Sequence, residues 1–498
     1  MKDYDIIVIG AGNGGLTAAA SLVNKGKKVL LLERHNIPGG CATSFCRGRF
    51  EFEVALHQLS GVGTPEKPGP LRSTLERLGV IDKLELIPMD DLFRLVIPGQ
   101  LDITLRPDRA DVISELQNRF PKEKQAIEDF FDLIYNFFTQ VISVMYLNDP
   151  EATPEKYPLY FKYALKDSKT VIDEYIQDPF LKTILSPYWT YIGIPPGKMA
   201  FTELAAMYFA FIEFIPFHIK GGSQTLSNAM ADQIIERGGE IRFNCGVKKI
   251  IIKDNQIKGV ITDNDEEISA NWVVSNASKL ATFVDLIDSE HVPQITANEL
   301  KQSTLSQSAF TVYLGLECEP EAIGMTATTN FLFPHTDMEA VYERMKYRDI
   351  TDEDALVLSC YNLADKSFSP PGTCQVAIVT LKYGDTWLSV PPSQYADEKY
   401  RVADAMISVA EKTFPNIKKY IEEIEIATPL THLRYLNHPK GSVYGFEHFI
   451  KNSEIFIPNI SHIKGLYGAG GFYGLCGFQT TVDSGRLTAS KLLKDMGT

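Results

Sequence analysis

The sequence predicts an α/β fold in which a discontinuous Rossmann-type nucleotide-binding domain carries an inserted α+β domain. Three observations support this prediction: a strand, glycine loop and helix at the start of the chain, a second block of this kind in the middle, and a glycine-rich segment near the end. With 498 residues, the chain is long enough for two or three domains.

The first unit begins with an apolar run at residues 6–9, followed by Gly10-x-Gly12-x-x-Gly15 and an alanine-rich helical stretch. The next apolar run ends in Glu33, at about the spacing expected for a dinucleotide fingerprint. The first glycine allows a tight turn, the second lets a pyrophosphate approach the backbone, and the third lets helix and strand pack closely. The helix N-terminus attracts phosphate, and the acid can bind a ribose hydroxyl. The alternative is a glycine-rich turn that only packs.

The doublet Gly39-Gly40, which follows Glu33 closely, favours FAD over NAD as the cofactor. A dehydrogenase that uses NAD alone stays an alternative, and the doublet taken alone would be an ordinary turn. The candidate cofactor-binding residues in this part of the chain are Gly10, Gly12, Asn13, Gly14, Gly15, Glu33, Arg34, Gly39, Gly40, Cys41 and Thr43.

Composition narrows the class of protein. Hydrophobic residues make up 44% and charged residues 22%, as in a globular protein. The net charge of −14, without a long basic run, argues against nucleic acid as a partner. The 7 cysteines are scattered and form no CxxC pair, so we expect free thiols and no metal site. No signal peptide is visible, and these features together predict a cytoplasmic protein.

Two stretches are strongly apolar, residues 130–147 and 200–217. Neither is free of polar groups over the length that a membrane span requires. The simpler interpretation is a pair of core-facing helices. The alternative is the wall of an apolar substrate tunnel, or a surface that dips into a bilayer, which would mean peripheral membrane contact.

The order of these patterns predicts three regions. The nucleotide-binding domain combines residues 1–80, 220–280 and 455–498. Residues 81–219 form a helical substrate or lid region, and residues 281–454 form an α+β substrate-binding domain. Residues 220–280 show strand-like runs alternating with Gly and Asn-Asp turns.

Three segments resemble a known family. They are GGCATSFCRGRFEFEVALHQLSG from Gly39, TPLTHLRYLNHPKGSVYG from Thr428, and GLYGAGGFYGLCGFQTTVDSGRLTASKLL from Gly465. The chain resembles the FAD-dependent phytoene desaturase, carotenoid isomerase and retinol saturase group, most closely its saturase and isomerase branch. The resemblance implies an FAD-binding domain of the glutathione reductase and amine oxidase type. It adds as cofactor contacts Val247, Asn276, Gly470, Gly471, Gln479 and Thr480.

The chain departs from that family at two positions. Many relatives have an acidic residue that binds a ribityl hydroxyl where this chain has Gly471, so that contact must come from elsewhere. Where relatives often have a glycine beside the flavin, this chain has Ala55.

Two side chains are the candidates for catalysis. His57 lies in the segment expected beside the flavin, where it could transfer a proton or contact the cofactor. Tyr473 is its counterpart in the C-terminal motif.

The predicted function is that of an FAD-dependent oxidoreductase or isomerase. It would act on carbon–carbon double bonds of a long apolar substrate, such as a polyene, retinoid, carotenoid or other isoprenoid, by hydride or electron exchange with the flavin. NAD(P)H or another electron donor or acceptor would be a partner, and the sequence does not give the oligomeric state. The alternatives are an unsaturated fatty-acid isomerase or reductase, an amine oxidase-like flavoenzyme, and a non-catalytic flavin-bearing lipid-binding protein.

Overall fold

The structure, a computed structural model, describes residues 3–447, 461–474 and 476–498. Its strands are β1 (Ile6–Ile9), β2 (Val29–Leu32), β3 (Ser44–Arg47), β4 (Phe50–Glu53), β5 (Leu86–Pro88), β6 (Phe93–Ile97), β7 (Leu101–Leu105), β8 (Phe217–Ile219), β9 (Glu240–Arg242), β10 (Val247–Lys253), β11 (Gln256–Thr262), β12 (Glu267–Ser269), β13 (Trp272–Ser275), β14 (Ser308–Leu316), β15 (Thr329–Leu332), β16 (Leu356–Ser359), β17 (Cys374–Lys382), β18 (Ile421–Ala427) and β19 (Leu466–Gly468).

The α-helices are α1 (Asn13–Val23), α2 (Pro70–Leu78), α3 (Arg109–Arg119), α4 (Lys124–Val141), α5 (Pro158–Tyr163), α6 (Ser168–Tyr175), α7 (Pro179–Ile184), α8 (Phe201–Glu213), α9 (Ser223–Glu236), α10 (Gln294–Gln302), α11 (Met338–Arg344), α12 (Asp385–Leu388), α13 (Tyr395–Glu411), α14 (Pro429–Leu436) and α15 (Phe478–Asp495).

A parallel sheet with the order β19-β13-β1-β2-β9 forms the centre of the nucleotide-binding region. β1 and β2 are apolar throughout and fully buried, as expected for strands covered on both faces. Helices α1, α2, α9 and α15 cover one face, and the antiparallel sheet β10-β11-β12 covers the other. The sheet draws its strands from all three segments that the sequence assigns to this domain. The proposed boundary at residues 454 and 455 lies outside the described residues.

A second sheet has the order β18-β14-β17-β16-β15-β6-β7. β14 is buried along its whole length, because both faces of the sheet are covered. The helical region α4–α8 packs on one face and α13 on the other.

The sequence predicts residues 81–219 as helical, and this prediction misses a hairpin. β6 and β7 pair with each other and join the edge of the second sheet next to β15. Apolar and polar residues alternate in β7, which follows a Pro-Gly turn, and this pattern in the sequence is typical of the second strand of a hairpin. The short strands β5 and β8 pair at the two ends of this region, so the chain leaves and re-enters the nucleotide-binding region at one place.

The two apolar stretches are mainly core-facing helices. Phe130, Phe137, Phe201 and Tyr208 are fully buried in one aromatic cluster. α4 ends at Val141, and a π-helical turn follows. In the described part of the chain, no helix combines the length and the apolarity needed to cross a membrane.

Candidate functional site

The glycine loop between β1 and α1 has the geometry that its sequence predicts. Gly10 has φ of +91°, which favours glycine. A Cβ on Gly15 would overlap the carbonyl oxygen of Gly10, so the turn leaves no room for a side chain there. The amide of Gly39 donates to the carbonyl of Ala11 at 2.8 Å, which brings the second glycine doublet against this loop.

The C-terminal glycine segment meets the same loop. A Cβ on Gly14 would lie 2.6 Å from the amide nitrogen of Gly470 and 2.6 Å from Oδ1 of Asn276. Asn276 follows β13, and its amide donates to the carbonyl of Ile9 at 2.8 Å. A Cβ on Gly485 in α15 would lie 2.9 Å from Cβ of Thr17 in α1. Three distant parts of the chain therefore converge where the sequence predicts one site.

Glu33 lies at the edge of this loop. Its Oε2 accepts from the amide of Ala11 at 2.6 Å, and its Oε1 accepts from the amide of His35 at 2.7 Å. A carboxylate has lone pairs beyond these two bonds, so a ribose hydroxyl could still donate to it. The amide of Cys245 donates to the Glu33 carbonyl at 2.9 Å, which places the start of β10 at Val247 close by.

Arg34 is bound by the protein itself. Its guanidinium donates to the carbonyls of Arg434 at 3.2 Å and Tyr435 at 2.6 Å. These carbonyls belong to the last turn of α14, whose C-terminus favours a cation. The contacts support a role in anchoring α14 rather than the predicted cofactor contact.

The residues present fit a dinucleotide. Oδ1 of Asn13, at the N-terminus of α1, is buried and has no partner in the described residues. Gly40 is exposed, and a Cβ on it would lie 3.3 Å from Cα of Gly12. The loop therefore offers bare backbone and an unused polar atom. Thr43 Oγ1 already donates to Gln224. Burial raises the pKa of Cys41 to about 11, so its thiol is neutral at physiological pH.

Glu53, which the sequence analysis did not assign, organises the neighbouring loop. Its buried carboxylate accepts from the amide and hydroxyl of Ser223, each at 2.7 Å, at the N-terminus of α9. It also accepts from the amide of Leu56 at 3.1 Å. Desolvation raises the pKa of Glu53, while these hydrogen bonds and the helix terminus favour the charged form.

His57 follows in the same loop and lies at a cavity. Its Nδ1 is 2.9 Å from Oγ of Ser359, and its ring stacks on Tyr191 with centroids 6.0 Å apart. Desolvation lowers the pKa of His57 to about 4, so the imidazole is neutral at physiological pH. A neutral imidazole is a poor proton donor, which argues against His57 as an acid at neutral pH.

The cavity has a volume of about 40 Å³, room for roughly three water molecules. Its walls are mainly apolar and come from the face of β16 and β17 and from α11. They include Val341, Met345, Val357, Val379, Leu381 and Tyr444. The long tunnel that a polyene would occupy is not present at this cavity.

The C-terminal motif adjoins this loop. Ser60 Oγ donates to Oε1 of Gln479 at 3.2 Å in the first turn of α15, and Thr480 Oγ1 donates to the carbonyl of Cys476 at 2.7 Å. A Cβ on Gly471 would lie 2.7 Å from Sγ of Cys476. A side chain at position 471 would therefore require the Cys476 side chain to move.

Tyr473 lies apart from His57. It is buried on the opposite side of the parallel sheet, and its hydroxyl donates to Oγ1 of Thr282 at 2.7 Å. Its ring packs directly beneath Gly468. These contacts indicate a packing role for Tyr473, and its catalytic role stays a prediction.

Several neighbours of His57 carry no signal in the sequence. Ser359 is the last residue of β16 and Tyr361 lies just after it, in a run without a motif, and Gln58 accepts from the hydroxyl of Tyr191 at 3.2 Å. Tyr444 is the exception, because it lies in the segment from Thr428 that carries the resemblance.

Comparison with known proteins supports this arrangement. Residues 8–72 match an NAD(P)-binding Rossmann-like domain. Prolycopene isomerase 1 of an Oncidium hybrid is 28% identical, covering 100% of this chain and 85% of the relative. All-trans-retinol 13,14-reductase of Danio rerio is 26% identical, covering 99% of this chain and 86% of the relative.

Among solved structures, cyclohexylamine oxidase from Brevibacterium oxydans has a TM-score of 0.63 at 16% identity, covering 100% of both chains. The predicted fold class is therefore confirmed, as is the resemblance to the isomerase and reductase group. Because the relatives are isomerase and reductase enzymes, the prediction of an oxidoreductase or isomerase-type enzyme is also confirmed.

Proposed function

We propose that this chain binds FAD between the loop at residues 10–15, the doublet Gly39-Gly40 and the segment around residues 470–480. It would act on carbon–carbon double bonds of a long apolar molecule, in the class of polyenes and retinoids. The observation that carries the proposal is the contact of Gly14 with Gly470, because it brings both predicted cofactor segments to one place.

Each segment offers a group suited to one part of the cofactor. The N-terminus of α1 offers amide hydrogens for the pyrophosphate, and Glu33 offers acceptors for a ribose. Asn13 Oδ1 lacks a donor that a bound ligand or water could supply. The N-terminus of α15 favours negative charge on a reduced flavin. When bound, a flavin can accept or donate a hydride.

The substrate class rests on the relatives, whose names are those of a prolycopene isomerase and a retinol reductase. The apolar walls of the His57 cavity support it, since they favour a hydrocarbon chain. The cavity is too small for such a chain as it stands.

Peripheral contact with a bilayer is part of this proposal. Leu147 and Leu165 in the helical region are 73% and 74% exposed, and Tyr146 is 44% exposed. The negative net charge gives no electrostatic attraction to anionic lipid. Sedimentation with phosphatidylcholine vesicles should therefore be insensitive to salt, and binding only to anionic vesicles would contradict this. The cytoplasmic location and an NAD(P)H partner stay predictions.

The test begins with the purified protein. We expect a yellow holoprotein whose released cofactor is identified as FAD by mass. The protein, reduced chemically and in its oxidised form, is then incubated without oxygen with a carotenoid, a retinoid and an unsaturated fatty acid. The products are separated by chromatography, and a change in a double bond of the carotenoid or retinoid supports the proposal.

Other outcomes would refute it. Conversion of the fatty acid alone would favour an unsaturated fatty-acid isomerase or reductase, and peroxide release with amines would favour an amine oxidase. Tight binding of a polyene without any conversion would indicate a carrier protein. A colourless protein that binds only NAD would remove the flavin from the proposal.

A further inference from the structure

The cavity beside His57 can receive only the end of a long molecule. Its volume of about 40 Å³ holds roughly three atoms of the size of a water molecule, so a chain that reaches it must enter by one terminus. The groups that the wall can offer therefore decide which terminal group is accepted. Hydroxyl, carboxylate and imidazole side chains occur in this wall among its apolar residues.

Four hydroxyl side chains line the cavity in the described part of the chain, and three of them donate to backbone carbonyls. Thr190 donates to the carbonyl of Pro187 and Thr380 to the carbonyl of Ala355, each at 2.9 Å. Tyr444 donates to the carbonyl of Thr190 at 3.3 Å. Because a carbonyl oxygen can only accept, the direction of these three bonds is fixed.

The fourth hydroxyl, that of Tyr191, is fixed through Gln58. Nε2 of Gln58 donates to the carbonyl of Leu92 at 2.6 Å, which determines the orientation of the amide. Oε1 of Gln58 therefore faces Tyr191 and accepts from its hydroxyl at 3.2 Å. All four hydroxyl oxygens keep lone pairs, so they can accept a hydrogen bond from a ligand, but their hydrogens are already used.

The described residues of the wall also provide no free cation. The carboxylate of Asp354 accepts from Nζ of Lys382 at 2.6 Å and from the guanidinium of Arg344 at 3.1 Å. The other two hydrogens of Lys382 go to the carbonyls of Arg344 and Asp349, each at 3.1 Å, so this ammonium is fully bonded. Burial lowers the pKa of His57 to about 4, so its ring carries no positive charge at neutral pH in either tautomer.

We propose that the cavity beside His57 selects a substrate whose entering end is a hydrocarbon or an alcohol, and that it excludes a carboxylate. An alcohol can donate to the lone pairs of the wall, and a hydrocarbon needs no partner. A carboxylate would leave water for a space that offers neither a cation nor a hydroxyl hydrogen, and burying such a group unpaired is costly. This selection rests on the proposed function, because it assumes that one end of the substrate lies in this cavity.

Retinol and retinoic acid are matched probes, because they share one carbon chain and differ only at its end. Their ring is too bulky for the cavity, so the functional end must enter. Dissociation constants are measured at neutral pH and without oxygen on the oxidised, flavin-loaded protein, by quenching of tryptophan fluorescence. We expect retinoic acid to bind more weakly than retinol by at least about tenfold. A smaller difference, or tighter binding of the acid, would overturn the proposal.

Met345→Lys supplies the group that the wall lacks. Met345 lines the cavity directly after α11, and a lysine there would bring an ammonium to an apolar wall. The ratio of the two dissociation constants should then shift toward the acid by at least about tenfold. Met345→Leu is the matched control, because it changes the same side chain, stays apolar and should leave the ratio unchanged. The same ratio in both variants would contradict the proposal, and if Met345→Lys does not fold, the native comparison still decides.

A failure of the proposed function would look different. If neither retinoid binds, the proposed substrate class is refuted, and the cavity is tested with ethanol and acetate, which have about the size that it can hold. Their binding is followed by NMR of ¹⁵N-histidine-labelled protein, with the His57 ring signals assigned by their loss in His57→Gln. Perturbation of these signals by ethanol alone keeps the inference, and any other result overturns it.

Discussion

The carboxyl group of Glu203 should make the stability of the protein depend strongly on pH. Glu203 lies in the first turn of α8 and is 3% exposed, and neither of its oxygens has a partner in the described residues. Desolvation raises its pKa from 4.5 to about 8. Between these two values the folded chain keeps a proton that the unfolded chain has lost, so stability falls as pH rises.

The size of the effect follows from this shift. Between pH 4.5 and 8, each pH unit lowers the free energy of unfolding by about 1.4 kcal/mol. The loss is roughly 3 kcal/mol at pH 7 and about 5 kcal/mol above pH 8. Glu203→Gln keeps the shape of the side chain and cannot ionise. The free energy of unfolding of this variant should therefore exceed that of the native chain by less than about 1 kcal/mol at pH 5 and by roughly 3 kcal/mol at pH 7.

The assay is denaturant or thermal unfolding of native and variant holoprotein at several pH values from 5 to 8. Comparing the two at each pH removes contributions that they share. Glu213→Gln at the other end of α8 is the control, because Glu213 pairs with Lys67 at 2.6 Å and its loss should slightly lower stability at neutral pH. A stability difference for Glu203→Gln that stays constant from pH 5 to 8 would refute the reasoning.

Three further predictions follow from named contacts. Gly470→Ala should abolish retention of flavin, because φ at this position is +92° and a Cβ would collide with Asn276. Gly474→Ala is the control and should keep the flavin, because a Cβ there would meet no described atom within 4 Å. Equal flavin absorbance in the two purified variants would contradict the prediction. Asp354→Asn should lower the free energy of unfolding by roughly 3–5 kcal/mol, because it leaves Lys382 buried without its partner. Asp352→Asn, the control, breaks an exposed pair and should lower this free energy by less than about 1 kcal/mol. Similar unfolding midpoints for the two variants would contradict the prediction. Burial lowers the pKa of His218 to about 4, so the contribution of this residue to the free energy of unfolding falls as pH drops below about 6.5. His218→Gln should therefore gain stability relative to the native chain between pH 6.5 and 5, and a difference between the two that stays constant over this range would count against it.

The glycines of the cofactor loop could be predicted from the sequence because local geometry demands them. Gly10 and Gly39 have φ of +91° and +124°, values that other residues rarely adopt. A short buried strand before the turn and an acid after the next strand are also local features. Local rules of this kind therefore located one wall of the site.

The surroundings of His57 could not be predicted in the same way. Ser359 and Tyr361 reach it through the pairing of β16 with its neighbours, and nothing in their own sequence marks that contact. The packing of Tyr473 could not be predicted for a related reason. A motif gives the position of a tyrosine along the chain, but packing against Gly468 decides which side of the sheet its hydroxyl faces.

The parallel sheet that joins β1, β13 and β19 has a consequence for biosynthesis. Residues near the amino terminus leave the ribosome long before α15 is made, so the groove they help to form stays open on one side throughout translation. If the chain binds FAD as proposed, loading of this coenzyme should then be one of the last steps of maturation. Ribosome-arrested chains that stop before Gly477 should hold no coenzyme, and release of the full polypeptide should permit its capture.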